Sequence, residues 1–107
     1  MHTFVELNSF ARAREELLND EEYMRLQLYL LAQPDAGDVI PGSDGCRKLR
    51  WTLRVRGKRG GARVIYFLRV RQDEIIMVTM YAKNVRDNID PNLLRELRQQ
   101  YEKSRNP

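Results

Sequence analysis

The 107-residue sequence predicts an α+β fold: an antiparallel-rich β-sheet packed by an N-terminal helical hairpin and a C-terminal helix, in the order β-α-α-β-β-β-α. Three patterns predict it. Between Arg47 and Arg56 the chain alternates strictly, with Leu49, Trp51, Leu53 and Val55 on one side and Lys48, Arg50, Thr52, Arg54 and Arg56 on the other. That period of two belongs to a strand with one buried face. Ile75–Tyr81 is rich in β-branched residues and apolar on both faces, as an inner, covered strand must be. Apolar residues in the first 33 positions and again from Leu93 to Tyr101 recur at three- and four-residue spacing, the period of a helix.

The elements follow in order. Thr3–Leu7, with Phe4 and Val5 adjacent, is a short opening strand. Asn8 or Ser9 caps a first helix, in which Phe10, Ala13, Leu17 and Leu18 fall at helical spacing. Asn19 or Asp20 starts a second helix, whose Asp20, Glu21 and Glu22 suit its positive N-terminal end. Tyr23, Leu26 and Leu30, together with Met24, Leu28 and Leu31, make a broad apolar face, and Pro34 stops the helix. The hairpin's outer surface is expected to be acidic. Gln33–Gly45 holds two Pro and three Gly and reads as a loop, pinned to the core by Val39 and Ile40. Strand Arg47–Arg56 connects through Gly57–Gly61, with three glycines, to strand Ala62–Arg71 in a hairpin. On that second strand Val64, Tyr66, Leu68 and Val70 share one face, and Arg63, Ile65, Phe67, Arg69 and Arg71 the other. After a turn at Gln72–Glu74 comes Ile75–Tyr81, then the polar segment Ala82–Asn88. Asp90 caps and Pro91 opens the final helix, with Leu93, Leu94, Leu97 and Tyr101 along one side.

A chain of this length is expected to be one domain, residues 1–107, with a modest core. No apolar run approaches the ~18 residues that cross a bilayer, and the N-terminus lacks the features of a signal peptide. The lone Cys46 forms neither an internal disulfide nor a CxxC site, so a cytoplasmic setting is expected. The net charge of +4 hides a strong asymmetry. Residues 1–44 carry three Arg against nine acidic residues, whereas residues 45–72 carry ten bases and no acid. So dense a positive block is suited to a polyanion or an acidic partner.

The phrases NDEEYMRLQLYLL, PDAGDVIPGSDGCRKLRW, GKRGGARVIYF and TMYAKN, spread from about Phe4 to about Tyr101, resemble the RelE/ParE toxin superfamily of bacterial toxin–antitoxin modules, in particular its HigB-like branch. The resemblance implies a ribosome-dependent endoribonuclease that cuts mRNA in the A site. It further implies a cognate HigA-like antitoxin with a helix-turn-helix domain, which neutralises the toxin. Operator DNA is contacted only through the toxin–antitoxin complex, and no membrane or cofactor is implied. The family's cationic surface falls on Lys48 and Arg50 before the hairpin, Lys58 and Arg59 in its loop, and Arg63 after it. The polar segment after the last strand offers Tyr81, Lys83 and Asn84, with Asn84 where some relatives carry an arginine. The remaining basic residues, Arg47, Arg54 and Arg56 among them, are expected to contact RNA.

The chemistry suits those residue types. RNA cleaves itself when its 2′-hydroxyl is held in line with the adjacent phosphate, and a protein helps by positioning, by stabilising charge on phosphorus and by moving protons. Arg50 and Arg63 are candidates for the phosphate, since guanidinium stays charged and forks onto two oxygens. Lys48, crowded by Arg47, Arg50 and Arg63, is expected to have a lowered pKa and to carry a proton. Tyr81 could donate a proton or stack on a base. The only histidine, His2, excludes a His-pair mechanism, and the carboxylates show no metal-site spacing. Trp51 alternates with the cations and is read as a core anchor. Cys46 is read as a packed or idle thiol. Two other functions are open: a ParE-like toxin directed at DNA gyrase, and an RNA-binding module without catalysis.

Overall fold

The computed structural model describes residues 2–53, 61–84 and 88–105. Eight elements run in order: β1 (Thr3–Glu6), α1 (Asn8–Leu17), α2 (Asp20–Ala32), β2 (Asp38–Val39), β3 (Arg47–Trp51), β4 (Ala62–Arg69), β5 (Glu74–Ala82) and α3 (Pro91–Arg105). The expected order therefore holds, with the two-residue β2 added. The strands form a sheet in the order β1-β5-β4-β3-β2. Only β1 is parallel to its neighbour, β5; the other three pairings are antiparallel.

Helices cover both faces. Leu49, Val64, Tyr66, Ile75, Met77 and Met80 meet Phe10, Leu18, Tyr23, Leu26 and Leu30 of the α1–α2 hairpin. Ile65, Phe67, Ile76 and Val78 meet Leu94 and Tyr101 of α3. This explains why β5, an inner strand, is apolar on both sides. In the register of β4 and β5, Ile65 opposes Thr79 while Tyr66 opposes Met77, so Val78 is an extra residue that bends β5.

The helix ends refine the expected caps. Asn19 caps α2 with a reciprocal box: its side chain accepts from the Glu22 N–H at 2.7 Å, and the Glu22 carboxylate accepts from the Asn19 N–H at 3.1 Å. The Asp90 carboxylate accepts from the Asn92 N–H at 2.9 Å where α3 begins. For α1, however, Leu7 occupies the cap position without a side-chain bond. Ser9 instead meets the Thr79 hydroxyl at 2.6 Å, tying α1 to β5.

Three apolar expectations are corrected. Tyr23, Leu26 and Leu30 of α2 are buried, but Met24, Leu28 and Leu31 face outward, because a helix lying on a sheet buries only one stripe. The outer surface of α2 is thus partly apolar rather than simply acidic. Ile40 packs against the second core cluster, while Val39 on edge strand β2 is exposed. On α3, Leu94 and Tyr101 are buried and Leu93 is exposed. Strand β3 ends at Trp51, and the expected continuation to Arg56 and the Gly57–Gly61 connection fall largely on residues 54–60, outside the described residues. No helix among the described residues is long and apolar enough to cross a membrane.

Candidate functional site

Three candidate side chains distant in sequence meet on adjacent strands. The ladder pairs Arg50 of β3 with Arg63 of β4, and Arg63 with Tyr81 of β5. Directly paired residues project to the same face. Arg50, Arg63 and Tyr81 therefore form one row, its outer Cα atoms roughly 10 Å apart given the usual spacing of antiparallel pairs. Lys48 lies two residues earlier on the same face, opposite Ile65. Because α3 packs over Ile65 and Phe67, Lys48 borders the covered part of that face. Lys83 follows two residues after Tyr81 and is exposed, as is Asn84 beside it.

The row combines held and free members. Arg63 is only 6% exposed, and its Nη1 donates to the Ala62 carbonyl at 3.2 Å. Tyr81, 8% exposed, belongs to the second core cluster with Ile65 and Val78, against which the partly buried Ile89 packs. Arg50 is exposed. Among the described residues, the ion pairs formed by carboxylates engage His2, Arg14, Arg25, Arg69 and Arg98, and none engages Lys48, Arg50 or Lys83. The Lys83 N–H closes the β4–β5 ladder on the Gly61 carbonyl at 3.1 Å. Gly61 adopts φ +63°, and a Cβ there would strike the Trp51 carbonyl oxygen. Glycine thus lets β4 begin hard against β3 and sets the height at which Arg50 and Arg63 meet.

Other members of the basic block have different surroundings. Arg47 faces the hairpin side, paired with Tyr66, and its Nη1 donates to the carbonyls of Gly37 at 2.7 Å and Asp35 at 3.1 Å. Tyr66 clamps the same loop, donating to the Pro34 carbonyl at 2.8 Å and accepting from the Gly37 N–H at 2.9 Å. Arg47 therefore does not share a face with Lys48, and the expected crowding of Lys48 lacks that member. Arg69 is buried, bonded to Glu74 at 2.9 Å and stacked over Tyr101. Arg54, Arg56, Lys58 and Arg59 lie outside the described residues.

Cys46 is fully buried, its Sγ 4.0 Å from the Leu94 carbonyl, and burial pushes its thiol up to about 11. Tyr101 belongs to the core, edge-on to Phe67 and with its hydroxyl 3.3 Å from Glu74. Among the described residues no group of three or more His, Cys, Asp or Glu could hold a metal ion. Sequence reasoning missed one feature near the row: Arg25 and Tyr29 of α2 line a groove with Arg50, Trp51 and Thr52 of the β3 segment. The available signal was Tyr29 itself, which on a helical projection falls outside the buried row of Tyr23, Leu26 and Leu30.

No protein-family model matches the sequence. The structure is similar to that of the Escherichia coli toxin RelE, solved in the free state as a double mutant. The alignment covers 91% of this chain and 96% of RelE, with a TM-score of 0.55 and 15% sequence identity. The chain therefore has the RelE-like α+β fold that its sequence led us to expect. At that identity the likeness concerns the fold alone and does not separate a HigB-like branch from the rest.

Proposed function

We propose that this protein is the toxin of a type II toxin–antitoxin module, a HigB-like, ribosome-dependent endoribonuclease that cuts mRNA in the A site and halts translation. The observation that carries the reading is the Arg50–Arg63–Tyr81 row, set across three strands of a RelE-like fold and flanked by Lys48 and Lys83. A gyrase-directed toxin on this fold would need no such cluster.

Cleavage needs only the RNA's own nucleophile. The 2′-oxygen bonds to phosphorus as the P–O5′ bond breaks, leaving a 2′,3′-cyclic phosphate and a 5′-hydroxyl. One proton leaves the 2′-hydroxyl and one is delivered to O5′. Arg63, fixed by packing and by its bond to Ala62, is pre-organised for the charge that builds on the phosphate oxygens. Arg50 reaches the same phosphate from the exposed side. Lys48 and Tyr81 are the proton carriers of the row, with Tyr81 also able to stack on a base. Lys83, with Asn84 and the basic residues of the hairpin, holds the strand. A cognate HigA-like helix-turn-helix antitoxin would block entry to the ribosome, and operator DNA would be met only through that complex. The protein acts in the cytoplasm as a single domain.

The test is primer-extension mapping of mRNA after brief expression. Discrete cuts inside translated frames are expected. Arg63→Ala and Arg50→Ala should each lower cleavage by about 10²-fold or more, with circular dichroism confirming that both fold. Arg50 is exposed, so its variant remains informative if the Arg63 variant is unstable. Full cleavage by both variants would overturn the site. DNA damage with intact mRNA would move the protein to the gyrase-directed class. Salt-sensitive RNA binding without growth arrest would make it a binding module.

A further inference from the structure

We infer that the groove between α2 and the outer edge of β3 is a nucleobase subsite, taking one base of an RNA strand whose phosphate lies on the Arg50–Arg63–Tyr81 row. This deepens the RNA-cleavage reading and rests on it. The groove has a volume of about 320 Å³ and is lined by Arg25, Tyr29, Arg50, Trp51 and Thr52. It exists because β2 is so short. The pairing of β2 covers only Arg47 and Lys48, so from Arg50 onward no described strand covers the outer edge of β3.

Its walls have the chemistry that recognises an unstacked base. The rings of Tyr29 and Trp51 lie 5.7 Å apart at 58°. A flat base entering there stacks on one ring and meets the other edge-on, an arrangement aromatic quadrupoles favour. Trp51 is half-buried against the hairpin-side core, which fixes it, while Tyr29 is 38% exposed and reachable. The outer edge of β3, which no described strand covers past Lys48, and the Thr52 hydroxyl can hydrogen-bond a base edge, as single-stranded RNA readers do. Arg25, paired to Glu21 at 3.2 Å, and Arg50 bring cationic charge for the backbone. Trp51 faces the hairpin side and Arg50 the α3 side, so the groove and the row flank the outer edge of β3, and an RNA strand reaches both by passing around that edge. An acidic peptide would satisfy the two guanidiniums but leave the aromatic pair without a function.

Trp51 is the chain's only tryptophan, so its fluorescence reports on this groove. The purified protein is titrated with a 2′-O-methyl hexanucleotide, which lacks the nucleophile and stays intact. Saturable quenching of Trp51 is expected, and an abasic oligomer of equal charge should bind without it. Tyr29→Ala should weaken the quenching-derived affinity about 5- to 100-fold, while Tyr29→Phe, which keeps the ring, should stay within about twofold of the parent. Equal quenching by the abasic oligomer, or an unchanged Tyr29→Ala affinity, overturns the subsite. So does binding seen by anisotropy without quenching, or no binding by either measurement. Those results leave the cleavage reading standing on its own primer-extension test. Absence of mRNA cuts overturns that reading, whatever the fluorescence shows.

Discussion

Cys46 is followed in the chain by Arg47 and Lys48, and basic neighbours normally lower a thiol's pKa. In the fold, burial outweighs that effect and raises the thiol from 9.0 to about 11, with Arg98 and Ser43 opposing only in part. Well below pH 9 the thiol is protonated whether folded or unfolded and contributes nothing to pH dependence. Between pH 9 and 11 the unfolded chain releases a proton that the native chain retains, so stability falls by up to roughly 2–3 kcal/mol. Urea unfolding at pH 8.5 and 10.5 should show most of this loss, and Cys46→Ala should remove the thiol's part of it. The buried phenols of Tyr23 and Tyr66, also shifted upward, will retain theirs. A thiol reagent should label native Cys46 slowly at pH 8 and rapidly in denaturant; fast native labelling would contradict the buried placement. The same contest between neighbours in sequence and neighbours in space governs the arginines. Composition marks Arg47, Arg50, Arg63 and Arg69 alike. Only tertiary structure sends Arg47 to the loop carbonyls and Arg69 to Glu74, leaving Arg50 and Arg63 side by side.

The same distinction holds among whole elements. The alternation in β3 and β4 told which side chains share a face, because a period of two admits only two answers. Lys48 and Arg50 do oppose Leu49 and Trp51, and Arg63 does stand with Ile65 and Phe67. What alternation could not convey was register, which brings Arg63 level with both Arg50 and Tyr81 and depends on the Val78 bulge and on Gly61. Helix α2 was harder to read. Its apolar residues occupy two stripes, and nothing local says which one the sheet takes. The structure buries Leu26 completely and leaves Leu28 58% exposed. Leu26→Ala should therefore cost about 2–5 kcal/mol, and Leu28→Ala no more than about 0.5 kcal/mol. Chemical denaturation of the two variants measures the difference directly. Comparable losses would mean that α2 sits on the sheet in a different rotation. Val39 illustrates the same limit on a smaller scale: an apolar residue in a loop reads as an anchor, yet an edge strand two residues long leaves it in solvent.

Across the molecule, charge is divided along the chain. The segment through Asp44, which includes the α1–α2 hairpin, carries nine acidic residues against three basic ones, while the strand segment that follows is purely basic. A polyanion is thus drawn to the basic strand segment more strongly than to the chain before it, which orients it before any short-range contact forms. On the proposed function this field should make RNA association strongly dependent on salt, and the fold names the cations that should set that dependence. Each phosphate contact on a single strand contributes about 0.7 to the slope of log K against log salt. Removing Lys48 and Arg50 together should then lower the slope by about 1.4. Arg47→Ala should leave the slope unchanged, since its guanidinium is committed to the Asp35 and Gly37 carbonyls on the other face. It should instead lower stability by about 1–3 kcal/mol as the loop loses its clamp. Binding of an uncleavable RNA measured between 50 and 300 mM salt, with urea unfolding of the same three proteins, separates the two roles. A fall in slope for Arg47→Ala as large as that of a single surface cation would return Arg47 to the RNA-contacting set. An unchanged slope for the double variant would place the phosphate contacts elsewhere on the basic strands.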